Sequence, residues 1–218
     1  EVYNLFNGRK GAAVFMDPWN GEILSLVSSP SYDPNATLLD AIRSKESPLP
    51  NRAIMSAYPP VSIFKIITSL SALESKKIRP DTGFVCAGKI RIGNYELNCW
   101  NRDGHGYVDL EKAIAWSCNV YFCHVGLLTG ADKISEYANL FGLGKKTGVE
   151  LFGESSGFIP TREWKRLEKK ETWYAGDTAN FSIGQGDLLT TPLQITRMVA
   201  ALANRGTLLR PHILKRVG

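Results

Sequence analysis

Ser62 and Lys65 stand three residues apart in the run Tyr58-Pro59-Pro60-Val61-Ser62-Ile63-Phe64-Lys65, which sets a hydroxyl and an amine on one helical face. A serine hydroxyl is a weak nucleophile until a base takes its proton, and a lysine withdrawn from water can do so near neutral pH. The pair could make a nucleophilic serine. A helix-start serine followed by a surface lysine would spell the same letters, so the pair needs support from the rest of the chain.

These groups need a frame. Pro59 and Pro60 suit a helix start, and Ile63, Phe64, Ile66, Ile67, Leu70 and Leu73 follow at helical spacing, which predicts a helix over 62–77 with Pro80 beyond it. Apolar runs at 12–16 and 23–27 flank Asp17-Pro18-Trp19-Asn20-Gly21 and predict a hairpin. Residues 29–60 hold six prolines and read as a long connection, and 81–108 as loop with short strands. Asp109 is a predicted N-cap for a helix burying Leu110, Ala113 and Ile114. Another helix is predicted over 131–140, capped by Gly142. Thr191-Pro192 predicts a helix that buries Leu193, Ile195, Met198, Val199 and Leu202 and closes at 204–206. The stretch 207–217 reads as a strand interrupted by Pro211, and strands at both ends around a helical middle predict an α+β fold.

With 218 residues, 44% hydrophobic and 22% charged, the chain suits one large domain or a domain with a small appendage. A net charge of +5 suits an anionic polymer or a nearby membrane surface, but no basic run interleaves with aromatics, which argues against nucleic acid. The densest charge run, 162–171, mixes both signs and reads as a solvated face. The longest apolar run, 198–203, is too short to span a membrane. The chain opens at Glu1 without methionine or signal peptide, so it is expected to be a piece of something longer.

Four strings stand in order: Met16-Asp17-Pro18 with Gly21-Glu22-Ile23-Leu24 and Tyr32-Asp33-Pro34-Asn35; Tyr58-Pro59-Pro60 with Ser62, Phe64 and Lys65; Ser117-Cys118-Asn119; and Phe181-Ser182-Ile183-Gly184-Gln185-Gly186 ahead of Thr191-Pro192-Leu193-Gln194. Over nearly all of 11–218 this series resembles the transpeptidase domain of a class B penicillin-binding protein. The segment from Asn98-Cys99-Trp100 to Gly104-His105-Gly106 resembles the elongation type, penicillin-binding protein 2, more than the division type.

The resemblance implies an α+β penicillin-binding and serine β-lactamase-like transpeptidase fold, an antiparallel sheet with a helical subdomain. Residues 1–218 would be part of one transpeptidase domain: a hairpin at 11–30, a mostly helical portion at 62–205 and the start of a C-terminal sheet at 207–217. It further implies that Ser62 attacks the carbonyl between the terminal D-alanines of a peptidoglycan stem peptide while Lys65 takes its proton. Ser117 would relay that proton to the leaving amine, Asn119 would orient the substrate, and the Ser62 N–H would serve as an oxyanion donor. An amine from a neighbouring strand would resolve the acyl-enzyme, and β-lactam antibiotics would acylate Ser62 in the same way. Implied partners are a SEDS-family glycan polymerase and cell-elongation scaffold proteins. The implied place is the periplasmic face of the bacterial inner membrane, with the full-length protein anchored there.

The family's third motif is K-T-G. Lys146-Thr147-Gly148 spells it but precedes Gly184-Gln185-Gly186, whereas the family's strand follows that string, so we read it as a decoy. The K-T-G strand, a membrane anchor and a pedestal domain are therefore expected outside 1–218, leaving this chain inactive or nearly so. Val61 and Ile63 also depart from the family's usual glycine and threonine. Two other functions fit parts of the pattern. A β-lactamase or β-lactam sensor of related fold shares S-x-x-K but not the 17–35 and 181–194 strings, and a non-catalytic scaffold of the cell-wall elongation machinery would not need the missing strand.

Cys86, Cys99, Cys118 and Cys123 allow three disulfide connectivities, which an extracytoplasmic domain would permit. The alternative is a structural zinc site of Cys86, Cys99, His105 and Cys118, since three thiolates and an imidazole suit tetrahedral zinc. The spacing is not a finger pattern, but some elongation-type relatives resemble this arrangement with Asp or Cys at matching places. A metal at Cys118 would pin the Ser117-Cys118-Asn119 turn. His105 fits a backbone-bonded loop position equally well, Cys123 is expected to pack as a small hydrophobe, and His124 and His212 are expected to be structural or exposed. No organic cofactor is expected.

Overall fold

The computed structural model of the chain describes residues 1–35 and 37–215. In chain order they form α1 (Val2–Leu5), β1 (Gly11–Met16), β2 (Ile23–Ser29) and α2 (Leu38–Arg43), then a 3-10 turn (Val61–Phe64) that runs into α3 (Lys65–Glu74). Short strands follow: β3 (Phe84–Cys86), β4 (Lys89–Ile92), β5 (Tyr95–Asn98) and β6 (Gly106–Val108). The remainder is helical: α4 (Leu110–Ala115), α5 (Asn119–Thr129), α6 (Ala131–Leu140), α7 (Arg162–Glu168), α8 (Ala175–Ser182) and α9 (Pro192–Ala203). The expected α+β class holds. The chain forms two compact units, Glu1–Tyr58 with Phe141–Phe158 and Leu189–Gly218, and Pro59–Leu140 with Ile159–Leu188.

In the first unit β1 and β2 make the predicted antiparallel hairpin, with Gly11 opposite Ser29 and an irregularity between Phe15 and Met16. Its turn is locked locally, because the Asp17 carboxylate accepts the Trp19 N–H and the Asn20 amide oxygen accepts the Glu22 N–H. α9 packs on β1, and Ala53, Ile54, Val149 and Leu193 form the core between them. Thr191 and Gln194 close a capping box around Pro192, as a helix start there requires. Val199 departs from its predicted burial and is 45% exposed, whereas Gln194, Ala200 and Ala201 are buried with Leu193 and Met198. At 3.6 residues per turn Val199 lies opposite the stripe those five define, so the core takes the alanines instead. The expected strand at 207–217 does not form among the described residues. His212 makes an isolated parallel bridge to Glu22, and Pro211, which has no N–H to donate, stands directly before it. Residues 216 and 217 of that expectation lie outside the described residues.

In the second unit α3 is buried on more than one face, through Lys65, Ile67, Thr68, Ser69, Ser71 and Ala72. Its hydroxyls are bonded: Thr68 donates to the Ser182 carbonyl at 2.7 Å, Ser69 to that of Lys65 and Ser71 to that of Thr68. α5 packs against α3, and it approaches α8 so closely that a Cβ on Gly126 would lie 2.3 Å from that of Ser182. Asp109 caps α4 as predicted, accepting the Lys112 N–H. Leu110 and Ala113 are buried there, but Ile114 is 50% exposed because it sits just off their narrow stripe. The loop-rich 81–108 region folds as two small antiparallel pairs, β3 with β6 and β4 with β5.

Candidate active site

The pattern that starts α3 also delivers the expected nucleophile. Ser62 lies in the 3-10 turn, and Lys65 opens the helix proper one turn on, a residue only 3% exposed. Lys65 Nζ is 3.2 Å from Ser62 Oγ, 2.9 Å from Ser117 Oγ, 2.8 Å from the Ser117 carbonyl and 2.7 Å from Asn119 Oδ1. Ser117 Oγ donates to Ser62 Oγ at 2.9 Å. Burial pushes the Lys65 pKa down to about 8, against smaller upward pulls from Cys99, Cys118 and Cys123. The Phe122 ring, 5.6 Å from Nζ, forms part of that dry surrounding.

These contacts assign protons. The Ser117 carbonyl and Asn119 Oδ1 only accept, so they hold two N–H bonds of the amine. A neutral Lys65 then turns its lone pair toward the two hydroxyls, and a charged one donates its third N–H to them. Asn119 is held from the other side, since its Nδ2 donates to the Asn98 carbonyl at 3.3 Å. Ser117 sits between α4 and α5 with φ +50°, a conformation that non-glycine residues visit uncommonly, and it turns both its carbonyl and its hydroxyl onto Lys65.

The nucleophile turn is clamped in a similar way. Val61 has φ +45°, an outlier for a β-branched residue, and its N–H donates to the Gly184 carbonyl at 2.9 Å. Gly184 has φ +76°, and a Cβ there would meet the Val61 carbonyl at 2.1 Å. Val61, where the family usually has glycine, thus holds a backbone conformation that glycine adopts without steric cost.

All four expected catalytic residues, Ser62, Lys65, Ser117 and Asn119, meet in one cluster. Four contributors were not singled out for their roles in the sequence: Asn98, Phe122, the backbone of Val61 and the clamp of Gly184. Gly184 lay inside its Gly-Gln-Gly string, Val61 stood as a departure from the family's usual glycine and Asn98 within the Asn98-Cys99-Trp100 segment, but none of these signals pointed to the contacts made here. Lys146-Thr147-Gly148 forms no strand, and Thr147 directs its N–H and hydroxyl to the buried Glu154 carboxylate.

Cys86, Cys99, His105 and Cys118 also come together, with their ligand atoms all within 4.8 Å of one another. His105 Nδ1 is 3.5 Å from Cys86 Sγ and 3.6 Å from Cys99 Sγ, near the roughly 3.5 Å between sulfur and nitrogen ligands on one tetrahedral zinc. The donor set and spacing therefore fit a zinc ion. The His105 ring lies between Trp100 and Trp116, and its Nε2 is buried without a partner. All four cysteines are free thiols, and Cys123 is buried in the core. Burial pushes Cys118 up to about 12; at Cys99 burial also pushes upward, but N–H groups of Asn119, Asn101 and Val120 outweigh it and the net shift is down. His124 stacks on Phe84, and His212 bonds the carbonyls of Asn20 and Leu214.

A hydroxyl-amine pair at a helix start, met by a second hydroxyl and an amide from a turn between two helices, stands on an α+β frame. The penicillin-binding protein transpeptidase domain family matches residues 11–218, and the chain belongs to it. It is 38% identical over 221 residues to the peptidoglycan D,D-transpeptidase MrdA of Acinetobacter baumannii, across 95% of this chain and 32% of that protein. It is similar to Pseudomonas aeruginosa PBP2, solved in complex with WCK 5153, with a TM-score of 0.93 at 38% identity, over 98% of this chain and 49% of that one. Against Helicobacter pylori PBP2, solved in complex with MreC, the TM-score is 0.94 at 34% identity, over 99% of this chain and 42% of that one. The chain spans about a third of the length of the curated relatives it matches, 32% in the A. baumannii case. Among the described residues no helix is long and apolar enough to cross a membrane.

Proposed function

We propose that this chain carries the acylating centre of a peptidoglycan D,D-transpeptidase of the elongation type. The observation that carries the reading is the buried Lys65 amine, 3.2 Å from Ser62 Oγ and held by two acceptor-only oxygens. Neutral Lys65 takes the Ser62 proton as Oγ attacks the carbonyl between the two terminal D-alanines of a stem peptide. The Ser62 N–H, at the start of the turn, helps hold the developing oxyanion. Ser117 Oγ touches both Lys65 Nζ and Ser62 Oγ, a position suited to passing the proton on to the departing D-alanine amine. Water or, productively, an amine from a neighbouring strand then opens the Ser62 ester, with Lys65 again accepting a proton. β-Lactams enter by the same first step and leave slowly.

The test is labelling of the full-length protein by a fluorescent penicillin. We expect one covalent adduct on Ser62, absent in Ser62→Ala, and no adduct on the unmodified protein would overturn the assignment.

The same reading extends to surroundings. The H. pylori relative solved with MreC supports an MreC-like scaffold partner for this protein, and a similar structure of a peptidoglycan synthase complex that coordinates polymerization and crosslinking supports a glycan polymerase, here of the SEDS family, beside it. Such work belongs at the periplasmic face of the inner membrane. A structural zinc held by Cys86, Cys99, His105 and Cys118 completes the proposal. It would supply no reaction chemistry, only a bond to the residue between Ser117 and Asn119. Metal analysis of the purified protein should give about one zinc per chain, and a content near zero ends the idea.

A further inference from the structure

Away from Ser62, a cavity of about 570 Å³ opens between the β4–β5 hairpin and the start of α8. Tyr95 and Tyr174 line it with partly exposed rings, 46% and 67%, while Gly93 and Gly176 contribute no side chain. The Tyr95 ring lies over Gly176, where a Cβ would come within 3.5 Å of it. Asn94 and Asn180 add amides, and the Asn180 amide donates to Tyr95 Oη at 3.4 Å.

The charges narrow the ligand. Among the described lining residues Asp177 is the one ionised group, and its carboxylate already accepts Lys165 Nζ at 2.8 Å and the Tyr174 N–H at 2.7 Å. No lysine or arginine lines the cavity among the described residues, so nothing there welcomes a carboxylate or a phosphate. Aromatic faces with amides and hydroxyls around them suit a neutral ring that has a flat apolar side and polar edges.

The position narrows it further. β5 runs from Tyr95 at the cavity to Asn98, whose carbonyl holds the Asn119 amide. Three residues of strand cover about 10 Å. α8 leaves the cavity at Asn180 and is followed by Gly184, which holds Val61. Both walls thus lead to the Ser62 cluster. A stem peptide joins its reacting bond to the glycan through three or four residues, which span about 10–14 Å when extended.

We propose that this cavity is a subsite for an N-acetylated sugar of the glycan strand, held on Tyr95 and Tyr174 while its stem peptide reaches Ser62. The inference rests on the transpeptidase reading. It assigns the sugar rather than the peptide to the cavity because stem peptides carry carboxylates, no cation lines it among the described residues, and Lys165, 6.0 Å from the Tyr174 ring, is already paired with Asp177.

Saturation-transfer NMR and a titration with N,N′-diacetylchitobiose test it on the native protein. We expect transfer to the acetyl methyl and ring protons, with Tyr95→Ala and Tyr174→Ala each weakening Kd by about tenfold and Tyr95→Phe by less than about twofold. Thermal melts check that each variant folds, and Tyr174→Ala, at an exposed position, serves if Tyr95→Ala does not. No transfer, an unmoved Kd in a folded alanine variant, or displacement of the disaccharide by a sugar-free stem peptide would each overturn the subsite. Penicillin labelling of the unmodified protein is read separately. Labelling without sugar binding sinks the subsite alone, and sugar binding without labelling sinks the transpeptidase reading alone.

Discussion

Two acceptor-only oxygens decide what Lys65 can do. They hold two of its N–H bonds, so loss of the third proton exposes a lone pair to hydroxyls rather than to water. With the pKa lowered to about 8, roughly one amine in ten is neutral at pH 7, against a few in ten thousand for a solvated lysine. The sign is fixed: the charged form dominates below about 8 and cannot accept a proton. Acylation by a penicillin should therefore rise with pH and level off above about 8, and a rate flat between pH 6 and 9 would remove Lys65 as the base. Lys65→Ala and Ser117→Ala should each slow acylation by about 10²–10⁴-fold with Ser62 still present, measured by stopped-flow with a chromogenic β-lactam. The Ser62–Lys65 relation was legible in the sequence because helix geometry fixes it. Asn98 was not, because it acts through a backbone carbonyl that every residue has.

At the scale of elements, the 3-10 turn before α3 is held by the segment after α8. Gly184 fits because a side chain there would collide with the Val61 carbonyl. Gly184→Ala should cost about 2–4 kcal/mol in thermal or denaturant melts and slow acylation as well, since the turn it displaces carries Ser62. Val61→Gly should go the other way: it removes a strain of about 1–3 kcal/mol against an entropy cost of about 0.5–1 kcal/mol, and so raises Tm. An unchanged or lower Tm would show that Val61 is not strained. On α9, loss of the capping box in Thr191→Ala should cost about 1 kcal/mol. That helix start was readable from Thr191-Pro192 alone. The exposure of Ile114 and Val199 was not, because several apolar residues competed for a narrow stripe and only packing chose among them.

For the molecule as a whole, the proposed zinc links stability to conditions. Three thiolates must lose protons to hold it, so the metal should dissociate as pH falls, and a chelator should lower Tm in metal-loaded protein. Cys118→Ala should lower zinc content and Tm together, and a Tm insensitive to both chelator and metal would leave the cluster as packed thiols. The cluster was only half legible. Cys86, Cys99, His105 and Cys118 follow no repeating spacing, and short strands paired across a loop-rich region bring their ligand atoms within 4.8 Å.

The sequence by itself determined the local chemistry: a hydroxyl one turn from an amine, a capped helix, a hairpin turn closed by its own side chains. Each depends on neighbours a few residues away, where backbone geometry leaves few choices. Tertiary structure alone decided which carbonyls hold Lys65, which glycine clamps Val61, and which four ligand atoms meet. Those contacts join residues far apart in the chain, and their distances follow from how helices and short strands pack rather than from any spacing in the sequence.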